Sequence, residues 1–208
     1  VAVASPNTDE TLNGSVVFFD TNGTFLNQVT VGALPDMITF SPDGTKVMTA
    51  NEGQPNANYS IDPEGSVSVI NIAGGIASLT QANVTTLLFT AYNSQEATLI
   101  ASGVRKLKAT STMSQDFEPE YITISADSQK AWVTLQENNA IAEINLATTT
   151  ISDIWALGTK DVSQPGNGMD ISDNNGQVLI ANWPIQAFYI PDAVANYNVA
   201  GTNYIVTA

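Results

Sequence analysis

Apolar residues in this chain fall in short runs that alternate with polar ones, and Gly, Asp, Asn or Ser closes nearly every run. Gly65-Ser66-Val67-Ser68-Val69-Ile70-Asn71-Ile72 has the period-two pattern of a half-buried strand. Ala140–Leu146 and Thr150–Ile154 follow the same pattern. Gly14–Asp20 and Phe25–Val31 flank Thr21-Asn22-Gly23, and Asn-Gly between apolar runs predicts a hairpin. No segment carries a helical period of useful length. The nearest approach, across Ala91–Ile100, is weak.

The strands recur in a larger unit. Residues 35–53 (PDMITFSPDGTKVMTANEG), 119–137 (PEYITISADSQKAWVTLQE) and 168–183 (GMDISDNNGQVLIANW) each read strand, Asp/Gly/Ser turn, strand, polar loop. Ser41, Ser125 and Ser172 mark the same place in each copy, 84 and 47 residues apart. A propeller blade takes roughly 40–45 residues, so the second interval is one blade. The first holds either a degenerate blade or one blade with a long insertion. A β-sandwich also yields short strands and frequent turns, but the repeated unit favours a propeller of four-stranded antiparallel blades. Residues 1–208 are therefore read as part of a single all-β propeller domain. Val1–Ser5 and Tyr204–Ala208 read as strands within blades, which predicts a longer natural chain.

Composition narrows the chemistry. Six Lys and Arg stand against twenty Asp and Glu, for a net charge of −14. Such a field repels nucleic acid and anionic membranes and attracts cations. With no Cys and no His, these residues hold neither a Cys/His zinc site, nor a thiol nucleophile, nor a Ser-His-Asp triad. No apolar run reaches the 18 residues of a membrane-spanning helix.

Four segments together carry a resemblance: VGALPDMITFSPDGTKVMTANEGQPN, DPEGSVSVINI, DFEPEYITISADSQKAWVTLQENNAIAEINLAT and GNGMDISDNNG. They resemble the choice-of-anchor I proteins, bacterial surface or secreted proteins with a YVTN-like propeller. The resemblance spans nearly the whole chain. It implies a secreted or cell-surface protein that relatives attach by varied C-terminal anchors. Some relatives are labelled alkaline phosphatase or phytase-like.

The repeat also makes a geometric prediction. If the first two strands of a copy form a hairpin, the loops before and after it share one face. Those loops hold Asp36 and Glu52 in the first copy and Glu118, Glu120 and Glu137 in the second. In the third they hold Asp170 and Asn182. Carboxylates gathered at one mouth repel each other and stay ionised together most easily around a cation. Ca²⁺ suits several oxygen ligands in irregular geometry, so Asp36, Glu52, Glu120, Glu137 and Asp170 are the metal-site candidates. The competing role for these acids is turn capping. Two functions follow: a non-catalytic surface scaffold or binding module, or a calcium-dependent phosphoesterase. The partner would be an extracellular or cell-surface protein, or a small anionic ligand held through the metal.

Overall fold

The structure, a computed structural model, describes residues Val1–Ala208. Three antiparallel sheets follow one another along the chain. The first contains β1 (Ala2–Ser5), β2 (Asn13–Phe19) and β3 (Phe25–Ala33), in that order. The second contains β4 (Pro35–Phe40), β5 (Lys46–Asn51), β6 (Ser66–Asn71) and β7 (Val84–Leu88). The third contains β8 (Pro119–Ile124), β9 (Lys130–Leu135), β10 (Ala140–Asn145) and β11 (Thr150–Ala156). Two hairpins complete the chain: β12 (Thr159–Asp161) with β13 (Gln186–Phe188), and β14 (Val194–Val199) with β15 (Thr202–Thr207).

Alternation explains the stacking. In the central sheet, Val47 and Ile70 are register partners, and both pack on Val16, Phe18, Val29 and Val31 of the first sheet. One position along, Met48 and Val69 pair and face the third sheet, against Val133 and Ile144 among others. A strand buried on both faces must be apolar at odd and even positions alike, as Val47-Met48 and Val69-Ile70 are. Each fully buried Val or Ile contributes ~1.5–3 kcal/mol, so these two interfaces hold the sheets together. β1, β4, β8 and β14 lie side by side across the successive sheets.

The first two repeat copies fold alike. Ser41 donates from Oγ to Asp43 Oδ1 at 2.6 Å, and Ser125 does the same to Asp127 at 2.6 Å. Each serine oxygen also accepts from a lysine N–H across the turn, Lys46 or Lys130, at 2.9 Å. Three residues after each serine, Gly44 (φ 69°) and Ser128 (φ 57°) take the left-handed conformation that closes the turn.

The third copy departs from the expectation. Its two strands reduce to one bridge, between Met169 and Ala181. Its left-handed residue, Gly176, comes four places after Ser172, so the extra residue breaks the turn geometry of the other copies. The long first interval is one four-stranded sheet plus an insertion. That insertion contains helical structure in the Ala91–Ile100 region: a 3₁₀ turn, Thr90–Gln95, runs into α1 (Glu96–Ser102), and α2 (Met113–Asp116) follows. Leu99 alone among α1 residues is buried, which is why no amphipathic stripe marked it.

Candidate functional site

The acidic mouth is built on two equivalent irregularities. Pro35 pairs with Asn51 and Pro119 with Leu135, and in both strands the register shifts before the next pair, at Ile38 and Ile122. A bulge of this kind re-aims the side chains inside it. Asp36 and Glu120 each lie inside one, directly after the proline. Glu52 arrives from the neighbouring loop. Its N–H donates to Leu34 O at 3.0 Å, and the Gly53 N–H donates to Ala33 O at 3.2 Å. Gly53 has φ 68°, and a Cβ there would meet Glu64 backbone at 2.7 Å. The chain thus turns sharply and presses Glu52 inward, where it is only 8% exposed.

Carboxylate oxygens of Asp36, Glu52 and Glu120 lie within 4.8 Å of one another. Gln54 Nε2 donates to Glu52 Oε2 at 2.6 Å. The molecule's ion pairs use other acids: Glu96, Asp62 and Glu143. Burial pushes Glu52 up to about 8, helped by the charges of Glu120, Asp36, Glu118 and Glu137. Burial likewise raises Glu120 to about 7, with Asp36, Glu137 and Asp192 adding repulsion. Glu118 also rises to about 7, from burial and then from Glu137 and Asp116. These groups resist ionising together unless positive charge joins them.

Of the five candidates from the repeat, Asp36, Glu52 and Glu120 come together, and Glu137 lies near enough to act on all three raised glutamates through its charge. Asp170 does not join that group. Its Oδ2 accepts from Leu179 N–H at 3.1 Å and its Oδ1 from Ser172 N–H at 3.4 Å, so it organises its own loop. The irregular third turn leaves Asp170 without the inner-strand position that places Asp36 and Glu120. Asn182 braces another loop, donating to Val162 O at 2.9 Å. Glu118 receives no cation; its N–H donates to Asn138 Oδ1 at 3.4 Å.

Sequence reasoning missed Asp192, whose charge reaches Glu120. The signal was present: Pro191-Asp192 stands before β14 as Pro35-Asp36 opens β4 and Pro119-Glu120 opens β8. It also missed Gln54, whose place in the second copy is held by another amide, Asn138.

The choice-of-anchor I domain matches residues 1–208, the whole chain. The chain belongs to the choice-of-anchor I family. Membership makes it a cell-surface-associated or secreted domain, and no helix in it is long and apolar enough to cross a membrane. No curated protein matches this choice-of-anchor I chain. Among solved structures it is similar to hydrazine synthase from Kuenenia stuttgartiensis, with 9% identity and a TM-score of 0.48. That alignment covers all of this chain and 55% of the other. It is also similar to a candidate 6-phosphogluconolactonase from Bacteroides uniformis, with 16% identity and a TM-score of 0.45, over 99% of this chain and 46% of the other. The chain therefore spans about half the length of these two solved proteins.

Proposed function

We propose that these residues form part of a β-propeller serving as a non-catalytic binding platform at the cell surface, with Ca²⁺ held by Asp36, Glu52 and Glu120. The propeller reading rests on the ordered succession of antiparallel sheets with β1, β4, β8 and β14 side by side. The cation reading rests on one observation: three carboxylates from two successive sheets meet within 4.8 Å, and the salt bridges of the chain engage other acids.

Ca²⁺ takes six to eight oxygen ligands at about 2.3–2.6 Å. Three carboxylates leave positions open on the ion. A carboxylate from an extracellular protein, or a small phosphate or carboxylate ligand, would complete them. This gives an acidic protein a way to bind an anionic partner. A phosphoesterase needs more, namely cationic groups that hold phosphate beside the metal. The chain has six Lys and Arg in all and no His, and Arg105 Nη1 is directed to Glu137 O at 3.3 Å, which favours the platform.

Calorimetric titration of the chelator-treated chain with Ca²⁺ tests the reading. One equivalent of bound ion is expected, with no hydrolysis of a chromogenic phosphate ester in its presence. Titration heats equal to buffer dilution would remove the metal, and ester turnover that needs Ca²⁺ would replace the platform with the enzyme.

A further inference from the structure

An unmasked sheet edge accepts further strands, and folded proteins guard such edges with bulges, charges or capping groups. On the side away from β1, β4 and β8, the three sheets end in β3, β7 and β11. β3 is guarded. Register shifts break its ladder with β2, and Asn27 Oδ1 accepts from Gln28 N–H at 2.8 Å. The Gln81 amide bonds Thr30 twice, accepting from its N–H at 3.0 Å and donating to its C=O at 2.9 Å. β11 is guarded as well. Its pairing with β10 shifts at Glu143 and Ile144, and Asp153 Oδ1 accepts from Ile154 N–H at 2.8 Å.

β7 has none of these devices. Its ladder with β6 runs without a shift from the Ser66–Leu88 pair to the Ile70–Val84 pair, and Val84-Thr85-Thr86-Leu87-Leu88 carries no charge, Gly or Pro. Ser15-Val16 of β2 and Ser66-Val67 of β6 hold equivalent places. Leu88, paired with Ser66, therefore stands where Thr30, paired with Ser15, stands in the first sheet. The two bonds to Gln81 show that Thr30 turns its N–H and C=O away from β2. Ladder alternation turns those of Leu88 and Thr86 outward in the same way, and no side chain meets them. Both residues are exposed, Leu88 to 46%.

The space beside β7 differs too. Between the first two sheets, the β6–β7 connection folds Ile76 and Leu79 onto Val16, Phe18 and Val29. Asn27 Nδ2 holds that turn, donating to Ile76 O at 2.9 Å and Leu79 O at 3.0 Å. The β10–β11 connection, Leu146–Thr149, is too short to fill the matching gap between the second and third sheets. A groove of about 490 Å³ remains there, lined by Leu87, Tyr92, Ile151, Thr86 and Thr150 among others. Both sheets that bound it have all four strands.

We propose that β7 takes up an added strand: an extended segment of a partner protein pairs with the outward N–H and C=O groups of Thr86 and Leu88 and sends alternate apolar side chains into the groove. The net charge of −14 repels a second copy and favours a segment that carries Lys or Arg. β7 lies at the opposite edge of its sheet from β4, so this surface is separate from the acidic mouth and needs no cation.

The test is selection of a displayed library of short random peptides on the 208-residue chain in chelator. Enriched peptides should alternate apolar residues, carry Lys or Arg and lack a central Pro, and bind at physiological salt with a micromolar or tighter Kd by fluorescence anisotropy. Hydrogen exchange at the Thr86 and Leu88 amides should be fast in the free chain and slow at least tenfold at peptide saturation. Thr86→Pro removes an outward N–H and no ladder bond to β6, and should weaken binding at least tenfold. Leu88→Lys, on the exposed edge, should weaken it as much with an unchanged Tm, which keeps the test valid if the proline variant misfolds. No enriched peptide of micromolar affinity would overturn the proposal, as would binding that survives Leu88→Lys or leaves both amides exchanging freely. Dimerisation of the chain that Leu88→Lys abolishes would give the edge to a second copy and overturn it as well.

Discussion

Asp36 and Glu120 occupy the same place in two successive sheets. Each follows a proline, each lies in the bulge of a strand that opens a repeat copy, and their carboxylates approach within 4.8 Å. Two equivalent backbone defects thus converge on one point. Glu52, pinned by the turn at Gly53, completes the group.

Charge crowding at that point predicts a stabilising substitution. In chelated protein at pH 8, Glu52→Gln should raise stability, since it removes a buried charge that its neighbours repel. The gain should be on the order of 1–3 kcal/mol, as a pKa shift of one unit corresponds to about 1.4 kcal/mol. Urea unfolding of the two proteins measures it, and a destabilised variant would show that the Gln54 contact outweighs the repulsion.

The same groups set a pH dependence. Glu118 and Glu120 titrate at about 7 and Glu52 at about 8, all above the ordinary carboxylate range. Between about pH 4.5 and 8 the folded state therefore keeps protons that the unfolded chain has released, and stability must fall as pH rises. Thermal melts in chelator should show Tm decreasing from pH 5 to pH 8. Saturating Ca²⁺ should flatten that slope, because the ion replaces the protons.

The repeated serines separate a working turn from a broken one. Ser125 is 1% exposed and its Oγ bridges Asp127, Lys130 N–H and Lys130 O. Ser125→Ala should cost ~1–3 kcal/mol, the penalty for leaving buried partners unpaired. Ser172 is exposed and its Oγ has no such role, so Ser172→Ala should cost less than ~0.5 kcal/mol. Denaturant midpoints for the two variants check the difference.

Close backbone approach gives a sharper contrast. A Cβ at Gly65 would stand 1.9 Å from Phe117 O, which joins the loop after Gly53 to the segment entering β8. Gly65→Ala should therefore destabilise by more than ~3 kcal/mol or prevent folding. Gly23 has open space around it and φ 83°, so Gly23→Ala should cost only ~1 kcal/mol. Expression and thermal melts of both variants measure this.

What could be read from the residues was local. Ser41-Pro42-Asp43-Gly44 and Ser125-Ala126-Asp127-Ser128 specify their turns by side-chain bonds within a few residues, and period-two alternation fixes which face is buried. The Asp36–Glu52–Glu120 grouping followed from that hairpin geometry. Asp170 stands apart from that group because the third copy shares the composition of the others but not the spacing from serine to left-handed residue. α1 escaped because a single buried Leu99 produces no periodic signal. Asp192 went unnoticed because Pro191-Asp192 precedes a strand whose partner residues, Thr202–Thr207, look like those of a first copy only at their end.

The acidic mouth also predicts which acids matter to the ion. Glu120→Gln should weaken Ca²⁺ binding at least tenfold, whereas Asp170→Asn should leave it unchanged, because Asp170 is engaged with Leu179 and Ser172. Titration calorimetry of both variants checks this, and equal losses would return Asp170 to the site.

The most direct measurement is the melting temperature of the wild-type chain in Ca²⁺ and in chelator, beside Glu120→Gln under the same conditions. An ion held only by the folded state stabilises it by mass action, by about 2.7 kcal/mol at 100 times Kd. The wild type should melt several degrees higher in Ca²⁺, and Glu120→Gln should lose most of that increment at the same ion concentration. A wild-type Tm that is the same in Ca²⁺ and chelator, or an increment that survives Glu120→Gln in full, would contradict a cation bound at Asp36, Glu52 and Glu120.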